Sequence, residues 1–196
     1  MTDAAIKSHN GTALLVVDMQ SGVVVDSWNA TEITARVAGL VDRARRADVP
    51  VVWVQHFNED LIEGSDDWRI AAPLLPLDTE RIVGKHYGDS FEDTILMDIL
   101  TDLGVKHLVV CGAQSDACII STLFGGFVRG YSMTLVSDAH TTEDRSHHGV
   151  PTPDAVIPLI NRIWQHRNAP GRRTGVVTAD SVVFSSSVTA LECDQA

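Results

Sequence analysis

Short apolar runs rich in β-branched residues recur along the chain, separated by stretches with helical spacing. Residues 13–17 (ALLVV), 51–55 (VVWVQ) and 107–111 (HLVVC) are nearly unbroken apolar runs, the pattern of strands buried on both faces. Residues 81–83, 133–136 and 174–178 supply three more strands. Between them, residues 31–47 place Ile33, Val37, Leu40, Val41 and Ala44 on one helical face, with Thr31 as N-cap. Residues 93–103 turn Leu96, Ile99, Leu100 and Leu103 inward and stop at Gly104. Further helices are expected from the turn at 112–117 to about Arg129, and over 153–166. Strand and helix alternate throughout, so the expected fold is α/β: a three-layer αβα sandwich around a parallel sheet.

The 196 residues suffice for one domain with a substantial core, expected over 12–184 with a mobile tail at 185–196. No apolar run approaches the roughly 20 residues that span a bilayer. The first ten residues lack the apolar core of a signal peptide, so a cytoplasmic protein with no membrane partner is expected. A formal net charge of −11 argues against a nucleic-acid partner, which calls for clustered Lys and Arg, and would favour cationic substrates. The three cysteines, Cys111, Cys118 and Cys193, form no CxxC pair and imply neither a disulfide framework nor a zinc site of that type. No GxGxxG follows the first strand, where Asp18, Met19 and Gln20 stand instead, which disfavours a dinucleotide-binding oxidoreductase.

In open parallel sheets, ligands bind beyond the C-terminal strand ends. Asp18, Lys85, the turn at 112–118 and Asp138 all fall there. Cys118 is expected in the first turn of a helix, where partial positive charge and unpaired N–H groups favour a thiolate and can hold an oxyanion. The commoner fate of a free cysteine is a small buried hydrophobe, which is the reading for Cys111. Cys193, in the tail, is read as inert. Asp18 can take a thiol proton and return it to a leaving amine, or be a loop carboxylate satisfied by backbone. Lys85 can hold both charges in place, or be an ordinary exposed lysine.

These residues sit in a wider pattern. ALLVVDMQ (13–20), VVWVQ (51–55), KHYGDSFEDTIL (85–96), VVCGAQSDACIISTLFGGFVRGY (109–131) and LVSDAHTT (135–142) occur in this order and at these intervals. With them the chain resembles the isochorismatase-like cysteine hydrolases over residues 12–184. The resemblance implies a triad of Asp18, Lys85 and Cys118. It also implies a cis peptide between Ala113 and Gln114 that aims the N–H groups of Gln114 and Cys118 at an oxyanion. The implied sheet has six parallel strands in the order 3-2-1-4-5-6. Homo-oligomers, dimers or tetramers, are common in the family, and no cofactor is implied. GAQSDACI and SDAHTTED look similar to a subgroup that includes streptothricin hydrolase, which opens a cyclic amide.

One departure bears on function. Nicotinamidases of this superfamily carry a metal motif, Asp-x-His, after the second strand. Here His56 stands at the Asp position and Asn58 at the first His position, so no metal is expected. The long connection at 57–80 and the loop after Lys85 are expected to set specificity. Gln20, Trp53, His56, Phe57, Tyr87 and Phe91 are the candidate pocket residues, with Trp68 a further aromatic candidate; large aromatics equally serve as core. The expected activity is hydrolysis of an amide or related C–N bond of a small molecule through a thioester. The alternatives are vinyl ether hydrolysis of the isochorismatase type and a non-catalytic binding protein on the same fold.

Overall fold

The computed structural model of the protein describes residues 11–184. The tail expected at 185–196, with Cys193, lies outside the described residues. Six strands, β1 (Thr12–Val17), β2 (Val51–His56), β3 (Arg81–Lys85), β4 (His107–Ala113), β5 (Ser132–Thr141) and β6 (Thr174–Val177), form one sheet in the order β3-β2-β1-β4-β5-β6. Every neighbouring pair is parallel. Five helices are described: α1 (Ser21–Val24), α2 (Ala30–Arg46), α3 (Leu96–Asp102), α4 (Ile120–Val128) and α5 (Pro153–Gln165).

The strand alternation sorts the core into two halves. Leu14, Val16, Trp53, Val109 and Cys111 face the α2 stripe of Ile33, Val37, Leu40, Val41 and Ala44. Leu15, Val17, Val52, Val54 and Val110 face the side covered by α3, α4 and α5. There Trp164 is fully buried, edge-on to Phe124 and Phe127, and its indole N–H donates to the Met133 carbonyl at 3.3 Å. The expected three-layer α/β architecture and strand order are those observed.

Local differences have local causes. The α2 N-cap is Asn29, at φ 52°, rather than Thr31; the left-handed conformation that Asn tolerates places the cap two residues earlier. The helix expected from 93 begins at Leu96, because Asp93 at φ 51° cannot be helical. A π turn (Ser115–Ile119) precedes α4, so Cys118 sits in that turn rather than in a regular first turn. β5 is longer than the expected 133–136. Its register slips against β4, from Val110 opposite Leu135 to Gly112 opposite His140, and the strand then resumes pairing.

From β1 the sheet grows one way through β2 and β3 and the other way through β4, β5 and β6. The crevice for a ligand opens at that reversal, beyond the ends of β1 and β4. The two strands come close there: Gly112, opposite Val17 and at φ 126°, has no room for a side chain, since an added Cβ would lie 2.0 Å from the Val17 carbonyl oxygen. Among the described residues, no helix is long and apolar enough to cross a membrane.

Candidate active site

Asp18 is the first residue past β1, at φ 48°, with its N–H bonded to the Val54 carbonyl at 2.9 Å. Lys85 is the last residue of β3, and Cys118 lies in the turn after β4. The three side chains meet. Lys85 Nζ lies 2.7 Å from Asp18 Oδ2, and the two side chains are 0% and 1% exposed. The same ammonium donates to Cys118 Sγ at 3.1 Å and to the Tyr87 carbonyl at 3.0 Å. Asp18 Oδ1 has no hydrogen-bond partner among the described residues.

This geometry sets the charge states. Burial alone would pull the Lys85 proton off, but Asp18 and then Cys118 outweigh it and hold the ammonium charged. Burial, reinforced by Asp18, pushes the Cys118 thiol up to about 12 against the opposing pull of Lys85. The expectation of a thiol lowered by a helix terminus is therefore corrected: the resting group is a thiol beside a closed ion pair. Cys111 is fully buried and its thiol is raised by burial alone.

A cleft of about 490 Å³ opens over Asp18, His56 and Cys118. Gly22 and Val23 of α1 form one wall, Asn58, Asp60, Leu61 and Asp67 another, and Gln114, Ala117, Glu143 and Arg145 the remainder. The connection at 57–80 reaches the cleft because it is stapled to the segment after β1. Ser21 N–H donates to Arg69 O at 2.9 Å, Gly22 N–H to Asp67 O at 2.8 Å, and Ala71 N–H to Met19 O at 2.8 Å. The Ala113–Gln114 peptide is cis and leads into the turn that carries Cys118.

Of the candidate pocket residues, only His56 lines the cleft. Trp53 is fully buried in the core, with its indole N–H on Glu80 at 2.7 Å. Phe91 packs in the other core half against Tyr131. Gln20 is also fully buried: its amide donates to His56 O and Trp68 O and accepts the His56 N–H, so it ties backbone together. Phe57 lies edge-on to His86, and Tyr87 is an exposed residue contributing its carbonyl to Lys85. Trp68 likewise contributes its carbonyl, to Gln20 and Gln55. Asp138, expected at a strand end, lies inside the longer β5, where it holds the Ala179 N–H at 2.6 Å and pairs with Arg36 rather than reaching the cleft. The cleft is polar where aromatics were expected: Trp53 and Phe91 are buried in the two core halves, and Phe57 and Tyr87 lie outside the cleft lining.

One cluster escaped the sequence reading. Ser115, which opens the π turn, bonds His140 Nδ1 at 2.7 Å, and His140 Nε2 bonds Asn161 Oδ1 at 3.1 Å. The Asn161 amide donates to Ser137 O at 3.0 Å, which fixes its oxygen toward His140. His140 therefore carries its proton on Nε2 and accepts from the Ser115 hydroxyl. Burial drives its pKa down to about 4. The signal available was SDAHTT itself, a polar run at a strand end.

Asp18, His56 and Cys118 each offer one ligand atom, all within 4.8 Å of one another. They do not fit a metal ion. The Lys85 ammonium already stands among them, 2.7 Å from Asp18, 3.1 Å from Cys118 and 3.2 Å from His56 Nδ1, and a second cation there would meet it at contact distance.

Comparison with known proteins agrees with this architecture. A streptothricin hydrolase from Streptomyces noursei is 40% identical over 153 residues, covering 73% of this chain and 58% of that protein. Nicotinamidase 3 from Arabidopsis thaliana is 28% identical over 153 residues, 69% of this chain and 76% of that one. The chain spans about half the length of the streptothricin hydrolases it matches, 58% of one and 50% of another. The crystal structure of an isochorismatase from Pseudomonas putida KT2440 superposes with a TM-score of 0.78 at 25% identity, covering 93% of this chain and 94% of that one. The family model described as the isochorismatase domain matches residues 12–150, and the chain belongs to the isochorismatase family.

Proposed function

We propose that the protein is a cysteine-dependent hydrolase of a C–N bond in a small molecule, with Cys118 as nucleophile, Asp18 as proton carrier and Lys85 as the charge that holds both. The observation that carries this reading is the single buried ammonium bonded to both Asp18 Oδ2 and Cys118 Sγ at the floor of an open cleft. A cation so placed stabilises the thiolate only once the thiol proton has left, and the open Asp18 Oδ1 can receive that proton.

The reaction then runs in two halves. The Cys118 proton passes to Asp18 as sulfur attacks the carbonyl carbon, and the N–H groups of Gln114 and Cys118 hold the oxyanion. The C–N bond breaks, Asp18 gives its proton to the leaving nitrogen, and a thioester remains. Water attacks the thioester, Asp18 takes its proton, the C–S bond breaks, and the proton returns to sulfur. One amide and one water become one acid and one amine. The names of two relatives, streptothricin hydrolase and nicotinamidase, support a C–N target, and the lactam class fits the first. Cytoplasmic residence and a homo-oligomer belong to the same reading.

The test is a panel of primary amides, lactams, N-carbamoyl compounds and isochorismate, read by release of ammonia or amine and of pyruvate. Turnover of a C–N compound is the expected result. Cleavage of isochorismate alone would move the protein to vinyl ether chemistry.

A further inference from the structure

We propose that His56 and Asn58 form a two-donor element that grips a second, neutral carbonyl oxygen of the substrate beside the carbon attacked by Cys118. This deepens, and rests on, the hydrolase reading above. The argument starts from proton positions. His56 Nδ1 lies 3.2 Å from Lys85 Nζ. An ammonium only donates, so Nδ1 presents its lone pair and the ring proton is on Nε2. Burial, and then the Lys85 charge, disfavour a second proton on the ring.

Asn58 is oriented independently. Its Oδ1 accepts the N–H groups of Asp60 at 2.9 Å and Leu61 at 2.8 Å, which fixes the amide with Nδ2 on the other side. Nδ2 then stands 3.4 Å from His56 Nε2. Both atoms carry protons and neither can accept from the other. Two such N–H groups at the cleft wall are completed by one oxygen that both can reach.

The chemistry of that oxygen follows from its surroundings. His56 Nδ1 faces the Lys85 ammonium beside Asp18 and Cys118, and Nε2 is the opposite nitrogen of the same ring in the same cleft, so the oxygen belongs to a group one imidazole away from the scissile carbonyl. Asp60, Asp67 and Glu143 line the same cleft, and Arg145 there is paired with Glu143 at 2.8 Å. A carboxylate in this field is repelled, whereas a neutral carbonyl is not. The substrate class is a small amide bearing a second neutral carbonyl next to the one that is attacked.

The experiment uses the full chain carrying Cys118→Ser, so that binding is read without turnover. Imidazole 15N spectra give the His56 tautomer, and titrations compare malonamide with butanamide, which is similar in size and lacks the second carbonyl. The expected results are the Nε2–H tautomer and a malonamide Kd at least about tenfold lower. Asn58→Asp keeps the oxygen that holds the loop N–H groups and replaces the second donor by an acceptor, and it should erase the preference. An Nδ1–H tautomer, equal or absent binding of the two amides, or a preference that survives Asn58→Asp would each overturn the proposal. Failure of the hydrolase reading would appear separately, in the turnover panel of the unaltered chain.

Discussion

Asp18 and Glu80 are both carboxylates held against a cation, and their remaining partners differ. Glu80, with a side chain 8% exposed, takes Arg45 through Nε at 2.8 Å and Nη2 at 3.0 Å, the Trp53 indole at 2.7 Å and the Leu77 N–H at 3.0 Å. Both of its oxygens are satisfied, and the group closes the connection at 57–80 onto the end of the sheet. Asp18 is more deeply buried, yet one of its oxygens has only Lys85 and the other has no hydrogen-bond partner among the described residues. A buried polar atom without a partner costs about 1–3 kcal/mol, so folding alone disfavours such an arrangement. The difference teaches how to read this molecule. The saturated carboxylate holds the chain together, and the open one is the group to which the proposed mechanism gives the proton.

The largest effect that could break this contrast is on rate. Asp18→Asn removes the proposed proton acceptor and keeps the shape, and it should lower kcat about 1000-fold, within the usual range for a lost general base. Turnover of the amide found by the panel measures this, with circular dichroism verifying the fold. A kcat within tenfold of the parent would place Asp18 with Glu80 as a structural group.

A third buried group sharpens the comparison through pH. His140 titrates at about 4 in the folded chain against 6.5 when free, and its partners Ser115 and Asn161 need it neutral. Below 6.5 the unfolded chain takes up a proton that the folded chain refuses. Stability is therefore full above 6.5 and falls steadily toward pH 4, by about 3 kcal/mol for this group. Urea unfolding at pH 7 and at pH 4.5 should show this loss in the parent and a smaller one in His140→Gln. Equal losses would remove His140 from the account.

The smallest effect concerns Glu80. Glu80→Gln breaks charge-assisted bonds to Arg45 and should cost about 2 kcal/mol of stability while kcat/KM stays within about twofold. Burial raises the Glu80 pKa, but Arg45, the Leu77 N–H and Trp53 together hold it below its ordinary 4.5. Its contribution is thus present above 4.5 and is lost as pH falls through the lower folded value. A large rate loss with unchanged stability would invert the contrast between the two carboxylates.

Legibility in the sequence followed the range of the forces involved. The unbroken runs 13–17 and 51–55 and the stripe Ile33–Val37–Leu40–Val41–Ala44 report burial directly, and they sufficed for strands, helices and layers. Asp18, Lys85 and Cys118 were visible as polar residues at strand ends, and the resemblance joined them into one group. The Ser115–His140–Asn161 network was not visible. Its members lie 25 and 21 residues apart, and only the register slip in β5 brings His140 opposite Gly112. The pocket walls were misread because a strand's two-residue period decides which way Trp53 points, and that period carries no label for the cleft side. Asp67 reaches the cleft through the backbone bonds that tie its segment to Ser21 and Gly22, and Asp60 through the turn held by the Asn58 side chain, none of which leaves a mark in composition.

The most direct test of the central claim is turnover by Cys118→Ala, measured on the C–N substrate identified by the panel and at matched concentrations of folded protein. The account predicts loss of turnover to the background rate, with substrate binding and thermal stability retained. Turnover that persists in this variant would show that Cys118 is not the nucleophile and that the buried ammonium serves only to pair with Asp18.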